Sequence, residues 1–170
     1  MNIITTSEIT YQNTHYALVW HNDEKWLLVE GDSSGFVDKH PDQPLYPLNA
    51  QNAKMLRSRL LWLNPVALGT RTSAGFGDRL GIATIGHLSS VTETGVAPIL
   101  AQQSVRENTR TGRTPQMVLD DAMWGVFEFG WRDDWGADAD HIKTIADIQP
   151  FVDAGYSFYT IDPSAHVDDQ

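Results

Sequence analysis

The residues able to do chemistry in this chain collect at the ends of apolar runs. "WGADADHIK" (Trp135–Lys143) closes on Asp138, Asp140 and His141, and "SFYTIDPSAH" (Ser157–His166) closes on Asp162 and His166. A carboxylate held partly out of water can serve as a general base, and a neutral imidazole can ligate Zn, Mn or Ni. Taken alone, Asp140 reads as a base, a helix cap or a surface acid, and His141 as a ligand or a structural histidine. Adjacent residues on a regular strand point to opposite faces. Asp140 and His141 can therefore share a pocket only where the strand ends or bulges. By alternation Asp138 is the better same-face companion of Asp140, placed to orient a ligand. Asp162 and His166 form a second metal-ligand pair or a turn, with Pro163 between them. Two further clusters are Asp78 with Arg79 and, later, Gln102, Gln103 and Arg106. Arginine pairs bidentately with carboxylate, so Asp78, Arg79, Gln103 and Arg106 are the substrate-binding candidates. A salt bridge within the loop is the alternative for Asp78 and Arg79.

The elements that must position these residues fall into two textures. Residues 1–48 read as a small β-rich segment: "YALVW" and "KWLLVEG" flank the turn signal "HNDE" and predict a hairpin. "GDSSGF" and "HPDQPLYP" then have loop composition. From Asn49, Ala53, Leu56, Leu60 and Leu63 recur at helical spacing and stop before Pro65. Strands are expected near 66–69, 97–102, 136–140 and 157–161, with helices between them. Thr114 with Pro115, and Thr144 with Asp147, are helix starts, and Gly155 is a stop. Pro150 is expected to bend its helix.

Apolar strands alternating with helices imply an α/β fold with a parallel sheet. The polar clusters at successive strand ends match a (β/α)8 TIM-barrel-like domain, whose active site is built there. A full barrel needs about 250 residues. The expectation for 49–170 is thus the first βα units of an incomplete barrel, with open sheet edges that favour self-association. No dinucleotide fingerprint or phosphate-binding P-loop is present.

Formal net charge is −10 and there is no cysteine among 170 residues. The acidic balance argues against nucleic acid and anionic membranes, and the missing thiols exclude disulfides and Cys-ligated metal. No segment has the pattern of a signal peptide or membrane span, so a cytoplasmic protein is expected.

The stretch from Ala74 to Asp168 resembles the tagaturonate epimerase family. The resemblance rests on "GFGDRLGIAT", "LAQQSVRENTRTGRTPQMVLDDAMWGVF", "GWRDDWGADADHIK" and "FYTIDPSAHVD". It implies a barrel-type catalytic domain, a divalent metal cation and a keto-uronate substrate. It also implies that Asp140 is the base and His141 the first metal ligand. The family's proton donor and further histidine ligands match no position here. Interconversion of tagaturonate and fructuronate inverts C4, for which a retro-aldol route is chemically reasonable. The rival readings are a metal-dependent sugar aldolase or isomerase, and a chain that only binds a sugar or a partner.

Overall fold

The computed structural model describes residues 1–167. Asp168, the last residue of the stretch just named, lies outside them. The chain forms two compact units, Met1–Leu63 with Met123–Arg132, and Asn64–Ala122 with Asp133 onward.

In the first unit, β1 (Asn2–Tyr11), β2 (Thr14–His21), β3 (Glu24–Glu30) and β4 (Leu45–Pro47) form an antiparallel sheet in that order. Gln12 with Asn13, and Asn22 with Asp23, join the first three strands, with φ between 46° and 62°. Such left-handed two-residue turns match the twist of a hairpin. The expected hairpin is therefore β2–β3, and β1 adds a strand to it. Tyr16, Ala17, Leu18 and Val19 are all buried, so β2 is covered on both faces. Ala17, Val19, Leu28 and Leu45 pack into one cluster against Trp26. α1 (Ala50–Arg59) is capped by Asn49, whose side chain accepts from Asn52 N, and it buries Ala53 and Leu56. A 3-10 turn, Leu61–Leu63, carries Leu63 inward. The sequence suggested a division after residue 48; this compact unit runs on through α1.

In the second unit, β5 (Ser73–Gly75), β6 (Ala97–Ser104), β7 (Gly136–Ile142) and β8 (Phe158–Ile161) form a parallel sheet in that order. α2 (Thr84–Val91) links β5 to β6. α3 (Val105–Thr111) and α4 (Pro115–Phe129) link β6 to β7, and α5 (Ile145–Ala154) links β7 to β8. The strand expected at 66–69 is not formed. Gly69 has φ 59° and Arg71 N donates to Leu68 O at 3.2 Å, so the chain turns there. Leu68 instead packs beside Ala97 and Ile99. Leu68 alone of this run is buried, while Val66, Ala67 and Gly69 are exposed, and the first parallel strand is β5. The helix starts follow local chemistry. Thr144 Oγ1 and Asp147 close a capping box, and Thr114 Oγ1 accepts from Met117 N at 3.2 Å. Pro150 sits inside α5 without ending it, and Gly155, at φ 100°, does.

Because the four strands run parallel, Asp78, Gln103, Asp140 and Asp162 all lie toward the same, C-terminal end of this sheet.

Candidate active site

Two bulges aim the polar residues. In β6, Ala101 has φ 55° and the register with β7 shifts between Leu100 and Gln103. In β7, His141 has φ 55° and the register with β8 shifts between Ala139 and Ile142. A bulge inserts an unpaired residue and re-aims the side chains around it. The condition for Asp140 and His141 to meet is thus satisfied: His141 Nδ1 lies 2.6 Å from Asp140 Oδ2. Asp140 is largely buried and His141 mostly exposed, with 19% and 59% of their side chains open.

Asp138 stands apart from this pair. It is buried, and accepts from Gln102 Nε2 at 2.9 Å and from Thr160 Oγ1 at 3.0 Å. The carboxylate thus ties β6, β7 and β8 together beneath the bulges. Gly75 makes room for this network, because a Cβ there would come within 2.5 Å of Gln102 Oε1.

The strand ends surround a cavity of about 420 Å³, lined by Ser104, Arg106, His141, Lys143, Asp147 and Asp162 among others. Ser104 ends β6 and caps α3 through a capping box with Glu107. Asp147 is engaged at its own helix start, accepting from Thr144 N and Oγ1 at 2.9 Å. Lys143 Nζ lies 3.2 Å from Asp162 Oδ2. Hydrogen bonds from Ser164, then the Lys143 ammonium, hold the Asp162 carboxyl at about 2, so it is ionised at neutral pH. Arg106 is exposed and has no ion-pair partner among the described residues.

The remaining candidates organise loops. The Asp78 carboxylate accepts from the backbone N–H of Leu80, Gly81 and Ala83 at 3.1, 2.8 and 2.6 Å. Burial works to raise its pKa, but those N–H groups outweigh burial and leave it below the ordinary value. The Asp78 carbonyl in turn accepts from Gln103 Nε2 and from Arg113 Nη1. Gln103 is fully buried, and Arg79 pairs with Glu107. His166 ends the exposed turn Ser164–His166 and does not line the cavity, whereas Asp162 does. Lys143 was missed in the sequence. Its signal was a cation two residues past His141 in an otherwise acidic strand end.

Comparison with known proteins decides the family. The tagaturonate epimerase model, UxaE, matches residues 5–170. The chain belongs to the tagaturonate epimerase family. A curated member of that description, the tagaturonate/fructuronate epimerase of Thermotoga maritima, is 51% identical over 119 residues, which is 70% of this chain and 25% of that protein. Two crystal structures of the fructuronate-tagaturonate epimerase UxaE from Cohnella laeviribosi, one native and one with a single glycerol, match with a TM-score of 0.93 at 33% identity. They cover 99% of this chain, which corresponds to 35% of theirs. The chain thus spans a quarter to about a third of the length of these epimerases.

Proposed function

We propose that the complete protein interconverts D-tagaturonate and D-fructuronate by inverting C4, as a step of hexuronate catabolism in the cytoplasm. The observation that carries this reading is the Asp140–His141 contact at a bulged strand end beside the cavity, in a chain of the tagaturonate epimerase family. The parallel sheet is, in this proposal, the first half of a (β/α)8 barrel. Support comes from four strand ends that turn their polar residues to one side, where such barrels build their sites.

His141 suits a metal ligand. Asp140 occupies Nδ1, which leaves Nε2 as the donor, the arrangement in which a carboxylate fixes the tautomer of a ligating imidazole. No group of three or more His, Cys, Asp or Glu side chains gathers into a metal shell among the described residues. They offer a partial set, and further ligands for Zn, Mn or Ni would come from elsewhere in the complete protein. When bound, a divalent cation would supply Lewis-acid stabilisation of an enolate oxygen.

The chain's own residues then divide the work. Asp140 keeps Oδ2 on His141, while Oδ1 has no partner among the described residues and is the oxygen that takes the C4 hydroxyl proton. Loss of that proton drives cleavage of the C3–C4 bond, giving an aldehyde at C4 and an enolate over C2 and C3. Re-addition of C3 to the other face of the aldehyde inverts C4, and Asp140 returns the proton. Arg106 binds the substrate. Asp78, Arg79 and Gln103, the other candidates for substrate contact, support the site by holding the loop after β5.

The test is conversion of D-tagaturonate carrying deuterium at C4 by the complete protein in ordinary water. The expected product is D-fructuronate with the label retained. Loss of the label to solvent would overturn the bond-cleavage route. Release of two fragments would identify an aldolase, and a moved carbonyl an isomerase.

A further inference from the structure

We propose that Arg106 and Lys143 together hold the substrate carboxylate, with Lys143 as the residue that makes the site selective for an acid sugar. The inference rests on the keto-uronate reading and adds to it the group that recognises the acid.

The charges around the cavity lead to this assignment. Its volume, about 420 Å³, lies within the roughly 300–1,000 Å³ of small-molecule sites. Two carboxylates and two cations line it besides His141. Asp147 is held at the start of α5, where its Oδ2 accepts from Thr144 N and Oγ1, and it has no ion pair with Arg106 or Lys143 among the described residues. Asp162 accepts from Ser164 N at 2.9 Å through Oδ1 and faces Lys143 through Oδ2. Lys143 is thereby tethered at the wall, while 57% of its side chain remains open. An ammonium has three donors, so one contact with Asp162 leaves donors for a ligand. Arg106 has no carboxylate of its own, although the chain carries 22 acidic residues against 12 basic ones. Arg59, Arg71, Arg79 and Arg113 each have one, whereas Arg110 and Arg132, which share its lack of one among the described residues, do not line the cavity. An unpaired guanidinium and a tethered ammonium on one cavity call for an anion. The guanidinium presents a planar fork that fits a carboxylate, and the ammonium adds a point charge.

This arrangement gives the site a way to reject the neutral ketohexose, whose terminal carbon is an alcohol in place of the acid. Both cations would then be left without a counter-charge, a penalty that the keto-uronate avoids.

The experiment uses the complete protein as Arg106→Leu, Lys143→Met and Lys143→Arg. Steady-state constants are measured for the keto-uronate and for the matching ketohexose. Each charge-removing variant should raise KM for the keto-uronate on the order of 10–100-fold, the usual worth of a charge-assisted contact, with kcat little changed. The ketohexose KM should fall in the same two variants, because the uncompensated cation is gone, and Lys143→Arg should keep most of the preference. Equal losses on both substrates would overturn the clamp while leaving the epimerase reading intact. Calorimetric binding of glucuronate, a hexuronate without a ketone, separates the two claims if the complete wild-type protein fails to epimerise. Binding that Arg106→Leu and Lys143→Met abolish would uphold the clamp and sink only the epimerase reading. Equal binding by all forms, or none by the wild type, would sink the clamp.

Discussion

His141 adopts a left-handed backbone, φ 55°, which costs a residue with a Cβ about 1–2 kcal/mol. The bulge that contains it sets the imidazole against Asp140, and the two side chains then have separable roles. His141→Ala should lower divalent-metal affinity and turnover together, because a lone-pair donor is lost. Asp140→Asn keeps an acceptor for His141 but removes the basic carboxylate. Metal should stay bound while turnover falls on the order of 10²–10⁴-fold. Metal content and turnover measured on both variants in one buffer check this. A metal-free Asp140→Asn beside a metal-loaded, active His141→Ala would reverse the roles and make Asp162 the better donor. The residue types of this pair were legible in the sequence, and so was the requirement for a bulge. The bulges themselves were not. Ala101 has no side-chain chemistry that favours a positive φ, and His141, of a type that adopts it more often than most, does so too rarely for the sequence to announce it; both bulges coincide with shifts of strand register. Lys143 escaped notice for a related reason, since its value lies in Asp162, nineteen positions later in the chain and on the neighbouring strand's end.

The loop between β5 and α2 is an element built on one carboxylate. Asp78 gathers three backbone N–H groups, and α2 has no side-chain cap of its own at Ala83. Asp78→Asn retains the shape and loses the charge, so the loop should loosen at a cost of about 1 kcal/mol. Faster amide exchange at Leu80, Gly81 and Ala83 would show it, and unchanged protection there would refute it. The pH dependence has a definite sign. The folded carboxyl titrates below its ordinary value, so its contribution is complete above the unfolded pKa of about 3.9 and disappears as pH falls through the lower folded value. At this scale, legibility followed the range of the interaction. The starts at Thr114 and Thr144 and the stop at Gly155 were readable because each is settled within a few residues. The 66–69 run differs from the expected strand because an apolar tetrapeptide does not say how many of its residues are buried, and here only Leu68 is. α3 was hidden because its cap, Ser104, is also the last residue of β6.

At the scale of the whole molecule, the parallel sheet has two open edges among the described residues, β5 and β8. Ile145, Phe158 and Ile161 are exposed on and near the β8 side, and Leu80 and Ile82 near the other, with Ile145 88% open. An unpaired strand offers its N–H and C=O groups to any other chain, and apolar side chains beside it make that pairing favourable. In the epimerases this chain matches, the corresponding stretch is only 35% of the protein. A polypeptide limited to these 170 residues should therefore associate through its sheet edges and lack epimerase activity. Light scattering behind size exclusion, over a hundredfold range of concentration, should give a mass that rises with concentration. Placing lysine at Phe158 and Ile161 should shift that mass toward the monomer, since edge charges oppose strand pairing. The antiparallel unit gives the measurement its control, because β2 is buried on both faces and should hold its structure whether or not the chains associate. A monomer at every concentration, unfolding in urea as one cooperative transition, would mean that the parallel sheet is complete as it stands, and the half-barrel proposal would fall with it.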